Sequence, residues 1–364
     1  MPDVFSETTH TSYGGKISGS IKGVLIGLIL FVVSFGVLYW NEGRVNLAPY
    51  AKKSIPVDAT QTATVNAQTL VALSGQLTSS TNLGDTYVKQ GKYLALQRNV
   101  EIFAWTQETQ SDKKKNLGGS EDTTTTYTYK KEWVKSPAES SKFKISEGHL
   151  NVPKTINDEL LRNENAAIGK YTFNPGMITL PDFQKLPLTG SLVNANGKLV
   201  NDYLYFGKGT ITEPQIGDQR ISYNYLPLNQ NVTAFGTISG STLSSYRAGK
   251  VTLFHLFYGT KDDGITALQQ DYTMKLWGFR LLGFLFMLFG LNMIMSPIGA
   301  LMDVIPLLGS VTKGTLFFLS LIVSLVLSIV TIVVSAIFHS LLALVIIIAL
   351  TLIFLLVWYK KRKK

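Results

Sequence analysis

Four stretches of the chain carry apolar side chains almost without interruption, and between the first and second of them the pattern changes to alternation. The uninterrupted runs are Val24 to Trp40, Leu276 to Met295, Thr315 to Phe338 and Leu341 to Tyr359. An α-helix needs about 20 apolar residues to cross roughly 30 Å of hydrocarbon, so each run predicts a membrane span. The first, VLIGLILFVVSFGVLYW, is short. At about 1.5 Å per residue it covers roughly 26 Å, enough if Ser20 to Gly23 is partly immersed. Its weakly charged approach, its length and the bulky Tyr39-Trp40-Asn41-Glu42 that follows argue for an uncleaved signal anchor over a cleaved leader.

Alternation dominates the region between these spans. Gln97 to Gln110 places Val100, Ile102 and Ala104 on one face and Phe103 and Trp105 on the other. After the polar loop SDKKKNLGGSED, Thr123 to Val134 resumes with Tyr127, Tyr129 and Trp133 on one side, which predicts a β-hairpin. Further strands are expected at Thr62 to Leu77, Lys170 to Phe173, Leu199 to Phe206, Gln219 to Tyr225, Val232 to Ile238 and Val251 to Tyr258, with a tight turn at Asn196-Gly197. One helix is expected from Ile156 to Ile168, capped by Thr155 with Asp158 three residues on. No fixed-length repeat occurs, which argues against a propeller or solenoid. The mostly apolar stretch Ser296 to Gly314 contains Pro297 and Pro306 and reads as an interfacial or re-entrant loop.

The expected fold class is therefore a membrane α-helical protein with four transmembrane helices plus a large β-rich α+β extracytoplasmic domain. The basic tail Lys360 to Lys364 is expected on the cytoplasmic side, because Lys and Arg in short flanks are retained there. Four spans then divide the chain into a cytoplasmic segment 1–23, span 24–40, an extracytoplasmic domain 41–275, span 276–295, a cytoplasmic loop 296–314, spans 315–338 and 341–359, and the tail 360–364. If Asn231-Val232-Thr233 is translocated in a glycosylating host, Asn231 is an acceptor.

Charge and composition change this picture little. The net charge is +10, but between Val45 and Lys275 basic residues only narrowly outnumber acidic ones. No concentrated basic face with readers appears, so nucleic acid is not an expected partner. The tail reads as a topology determinant and then as a contact for anionic lipid. Cysteine is absent, which excludes thiol nucleophiles, zinc–thiolate sites and disulfides.

Candidate chemistry is sparse. His10, His149, His255 and His339 lie far apart, and no Walker A, Gly-x-Ser-x-Gly, His-Glu-x-x-His or EF-hand pattern occurs. No catalytic residue, cofactor or metal is assigned. Gly15, Gly19, Gly23 and Gly27 recur every fourth residue into the first span, a small-residue stripe that would let a second helix approach closely. Arg280 near one end of its span is expected to snorkel, and Asn292 lies nearer the other end.

Several short strings together resemble the LUMA family, also called the transmembrane protein forty-three family. They are Asn41-Glu42-Gly43-Arg44 after the first span, Val100-Glu101 with Trp105, Tyr127-x-Tyr129 to Glu132-Trp133, Gly217-Asp218-x-Arg220 leading to Ser222-Tyr223-x-Tyr225, the entry MKLWGFRLLGFLFMLFGLNMI containing Trp277, Gly278 and Arg280, and Asp303 with Pro306. Between Lys142 and Gly197 the similarity is weak. The resemblance implies a multi-pass protein with a large luminal domain. In animals it would sit in the endoplasmic reticulum and inner nuclear membrane, self-associate, and be linked to lamins and emerin in nuclear-envelope organisation; relatives also occur in bacteria, where the domain would be periplasmic. It brings no catalytic residues. The leading expectation is a membrane scaffold or assembly factor whose partners are the bilayer, further copies of itself and membrane or envelope proteins. A channel or transporter subunit, and an extracytoplasmic hydrolase using acids that sequence cannot pair, are the alternatives.

Overall fold

The computed structural model describes residues 3–194, 197–304 and 306–340. The fourth apolar run, the basic tail and Asn196 of the expected turn lie outside the described residues. The helices are α1 (Tyr13–Glu42), α2 (Ala48–Lys52), α3 (Lys261–Leu301) and α4 (Pro306–His339). The first strands are β1 (Val4–Thr11), β2 (Ile55–Asp58), β3 (Val71–Thr78), β4 (Tyr93–Lys115) and β5 (Glu121–Val134). Shorter ones follow: β6 (Glu159–Arg162), β7 (Ala166–Ile168), β8 (Tyr171–Phe173), β9 (Gln184–Leu186), β10 (Lys198–Val200) and β11 (Tyr203–Phe206). The last are β12 (Gln219–Pro227), β13 (Asn231–Ser239), β14 (Thr242–Ser244), β15 (Tyr246–Ala248), β16 (Val251–Leu253) and β17 (His255–Tyr258).

Two compact units share this chain. One takes the residues up to Ser6, Asn46–Gln110 and Thr126–Gln270; the other takes Glu7–Val45, the hairpin tip Ser111–Thr125 and the chain from Asp271 onward. Pairing forms an eight-stranded sheet in the order β1-β5-β4-β12-β11-β10, with β6 on β4 and β9 on β12, and a seven-stranded sheet in the order β17-β13-β14-β8-β7-β3-β2.

The alternation in β4 sets the core of the first unit. Leu96, Arg98, Val100, Ile102 and Ala104 all point inward, the period-2 face expected of a half-buried strand. Leu94 and Leu226 join Leu73, Val232, Ala234 and Leu256 in one core, while Leu96, Val100, Leu204, Ile221 and Tyr223 build a second. A third cluster packs Ala48 and Ala51 of α2 and Leu268 of α3 against Phe235. The first turns of α3 thus belong to the folded domain, and Lys261 donates to the carbonyl of Ser54 at 2.6 Å.

Several expectations change. The hairpin forms, longer than its alternating core. The helix expected at Ile156 to Ile168 is instead β6 and β7: Glu159–Arg162 pairs antiparallel with Ala95–Arg98 of β4, and a sheet edge overrides a local helical pattern. Asp158 does not cap; it accepts from the Val100 amide at 2.7 Å and the Lys154 ammonium at 2.8 Å. Thr62 to Leu77 is extended strand only from Val71. Leu199 to Phe206 is two strands, β10 and β11, turned at Asn201, whose φ of 52 suits asparagine.

The helical segments also differ from their expected ends. Helix α1 starts at Tyr13, capped by Ser12 accepting from the Gly15 amide, so the glycine stripe is helical throughout. The segment Ser296 to Gly314 is not a loop: α3 continues through Pro297 to Leu301, a 3-10 turn spans Met302–Val304, and α4 opens at Pro306. Proline at a first helical position loses no intrahelical bond. Among the described residues three helices, Tyr13–Glu42, Lys261–Leu301 and Thr312–His339, are long and apolar enough to cross a membrane.

Candidate functional site

The helical unit is built around two polar knots, one at each end of α1. At its C-terminal end the run Asn41-Glu42-Gly43-Arg44 meets the entry of α3. Arg280 donates from Nε and Nη2 to the two Glu42 carboxylate oxygens, both at 2.8 Å. A fork of this kind is among the stronger charge-assisted contacts, and it replaces the expected snorkelling. Asn41 Nδ2 donates to the Leu276 carbonyl at 2.9 Å. A Cβ on Gly43 would lie 2.5 Å from the ring of His339, so glycine is what admits α4 there. The Arg44 guanidinium lies over Trp40 at 5.8 Å and Phe279 at 5.6 Å, and that of Arg280 lies over Trp277 at 4.8 Å. A Cβ on Gly278 would meet nothing within 4 Å.

At the other end Asp303, fully buried, gathers three lysines from distant parts of the chain. Lys16 Nζ lies 2.7 Å from Oδ2, Lys313 Nζ 2.5 Å from the same atom and Lys115 Nζ 3.0 Å from Oδ1. Glu121 adds longer contacts to Lys16 at 3.6 Å and Lys113 at 3.4 Å. Burial opposes ionisation of Asp303, but the ammonium groups of Lys16, Lys313 and Lys115 outweigh it and hold its pKa down at about 2. A cavity of about 490 Å³ opens beside this knot, lined by residues of α1, the hairpin tip, α3 and α4.

Between the knots the helices touch through small residues. A Cβ on Gly27 would lie 2.7 Å from the Gly290 carbonyl oxygen, and one on Gly290 would lie 2.7 Å from the Phe31 amide. Gly23 faces Met293 at ordinary contact distance, Gly19 faces open space, and Gly15 abuts its own cap. On α4, Ser320, Ser324 and Ser328 are buried, and the hydroxyls of Ser320 and Ser328 reach Met295 and Met287 of α3. The serines recur every fourth residue, the spacing that singled out the glycines.

In the β-rich unit the buried ionisable groups bind their own fold. Asp218 accepts from the Tyr205 hydroxyl and the amides of Gln215 at 2.7 Å, Lys208 at 2.9 Å and Gly209 at 3.1 Å. Burial raises its pKa, and these donors more than reverse that, leaving it below the usual carboxylate range. Arg220 pairs with Glu101 at 2.7 Å between the rings of Trp133 and Tyr203. Arg98 bonds Asp85 and Glu159, and Tyr223 donates to the same Asp85 at 2.6 Å. The histidines take separate places: His149 stacks on Tyr129, His255 on Phe257, His339 leans on Tyr39, and His10 contacts Asp122. Among the described residues no group of three or more His, Cys, Asp or Glu is placed to hold a metal.

A model of the family "Transmembrane protein 43" matches residues 102–341 of the chain. The chain belongs to the transmembrane protein 43 family. It is 26% identical over 322 residues to human transmembrane protein 43 and 26% identical over 315 residues to the rat protein, in each case covering 80% of this chain and 78% of the relative. A Drosophila melanogaster homolog is 25% identical over 287 residues, covering 74% of this chain and 75% of that one. No solved structure gives a significant match. As a family member with apolar membrane-length helices, the chain is an integral membrane protein. The Asn41 to Arg44 and Trp277 to Arg280 segments of this transmembrane protein 43 relative, distant in sequence, close on each other in space.

Proposed function

We propose that the chain is a non-catalytic membrane scaffold or assembly factor whose β-rich unit and lipid-facing helices engage partners, including further copies of itself. The observation that carries this reading is how the polar groups are used. Asp218, Arg98, Asp303 and the Glu42–Arg280 pair are committed to bonds within the fold, while Leu25, Ile29 and Val32 of α1 and Leu325, Ile329 and Val333 of α4 remain exposed. In a bilayer such faces meet lipid or another helix. The fourth span, 341–359, and a cytoplasmic basic tail belong to the same proposal.

Lysine-directed crosslinking of the full chain in native membranes, followed by mass analysis, tests it. Covalent dimers or recurrent membrane neighbours are the expected result. A protein recovered only as a monomer with no neighbours overturns the scaffold role.

A further inference from the structure

Lys16, Lys113 and Lys313 line the cavity beside Asp303, and among the described residues Glu121 is the one carboxylate in that lining. Lys16, Lys115 and Lys313 converge on Asp303, and Lys113 reaches Glu121. The ion-paired cluster therefore carries a surplus of two positive charges. The Lys16–Asp303 pair is buried, and the charges in excess rest on Lys113 and Lys313, whose side chains reach solvent. An excess of one sign along a cavity lining attracts a ligand of the other.

The cavity has the shape and lining for such a ligand. Its volume of about 490 Å³ lies within the range of small-ligand sites. One wall is cationic, with Lys113 and Lys313 exposed enough to swing toward an incoming group; Asn292 adds an amide. Met293, Met295 and Leu316 give the lining an apolar wall. Gly19 lines the space, and a Cβ there would meet nothing within 4 Å. Its missing side chain is part of the opening. The site lies at the ends of membrane helices, the depth at which basic pockets take anionic headgroups.

We propose that this cavity binds an anionic phosphate group, supplied by the headgroup of a phospholipid whose chains run along the apolar wall. The surplus positive charge is more than enough to neutralise the single negative charge of a phosphodiester, and the mixed lining matches a molecule that is ionic at one end and hydrocarbon at the other. The inference does not depend on the scaffold role: a monomeric protein could hold the same lipid.

Native mass spectrometry of the full chain in mild detergent tests it with three probes: phosphatidylglycerol, phosphatidylcholine and inorganic phosphate. Phosphatidylglycerol should bind at least about tenfold more tightly than phosphatidylcholine, since one basic contact to an anionic lipid contributes roughly a fivefold preference and at least two are available. Lys113→Ala combined with Lys313→Ala should remove that preference. Gly19→Leu should fill the opening and lower phosphatidylglycerol binding at least fivefold while leaving the unfolding temperature unchanged, so loss of binding cannot be mistaken for loss of fold. Lys130→Ala, at an exposed residue that is not in the cavity lining, should change nothing. If inorganic phosphate competes the lipid off at equal concentration, the phosphate site stands and its lipid source is wrong. Equal binding of phosphatidylglycerol to wild type, Gly19→Leu and the double lysine variant overturns the site altogether.

Discussion

Asp303 is a single carboxylate held by three ammonium groups, and its removal should be felt more than that of any one lysine. Asp303→Asn leaves Lys16, Lys115 and Lys313 facing one another without the carboxylate they share, with Glu121 at 3.6 Å from Lys16 as a more distant counter-charge, and breaking a buried ion pair from one side costs about 3–5 kcal/mol. Thermal unfolding in mild detergent should show a clear drop, with Asp303→Glu intermediate. The pH dependence has a definite sign. Because the folded pKa of about 2 lies below the unfolded value, the contribution of Asp303 is complete above about pH 4 and is lost as pH falls from there toward 2. A stability loss appearing instead between pH 6 and 8 would assign the transition to another group. Sequence pointed to Asp303 only as part of a family string. Its partners lie up to 287 positions away, a distance at which no local pattern shows that four charges share one site. Asn41, Glu42 and Arg44 were legible in the same limited sense: the string marked them, but only the fold shows that Glu42 answers Arg280.

Secondary-structure elements were easier to read where one period persisted. The alternating residues of β4 and the first three long apolar runs behave as their patterns demand, whereas Ile156 to Ile168 has a helical period too short to resist pairing with β4. Pro297 and Pro306 misled because proline marks a break only where the helix has no other support; in α3 the chain passes through it, and in α4 it opens the helix. The glycine stripe is a single pattern serving different contacts. Gly27→Leu would drive a side chain against the α3 backbone, so the helices must separate at a cost of roughly 1–3 kcal/mol, while Gly19→Leu meets open space. The expected outcome is a lowered unfolding temperature for the first and an unchanged one for the second, measured side by side in detergent. Equal behaviour would remove the close α1–α3 contact.

At the scale of the whole molecule, membrane class and family were legible from the apolar runs and scattered motifs, but the disposition across the bilayer was not. The expected arrangement puts 41–275 on one side and 296–314 on the other. Yet Lys115 and Asp303 are 3.0 Å apart, and roughly 30 Å of hydrocarbon cannot lie between them. The expected arrangement and this contact give opposite labelling patterns, and the contact sets the prediction. The hairpin tip and the α3–α4 turn should therefore be labelled from the same side. Because the chain contains no cysteine, Lys114→Cys and Met302→Cys each give a unique thiol for a membrane-impermeant maleimide on sealed vesicles. Labelling of one from outside and the other only after permeabilisation would separate them and dissolve the Asp303 knot. That knot also bears on synthesis. Its lysines come from the beginning, the first third and the last quarter of the chain, so a ribosome delivers Lys16 and Lys115 long before Asp303 exists to receive them. A nascent chain stopped before Asp303 holds Lys16 and Lys115 without the carboxylate they share, and the helical unit can close only when translation is nearly complete. A premature stop anywhere ahead of Asp303 should thus leave an open, protease-sensitive bundle instead of a smaller version of the finished one.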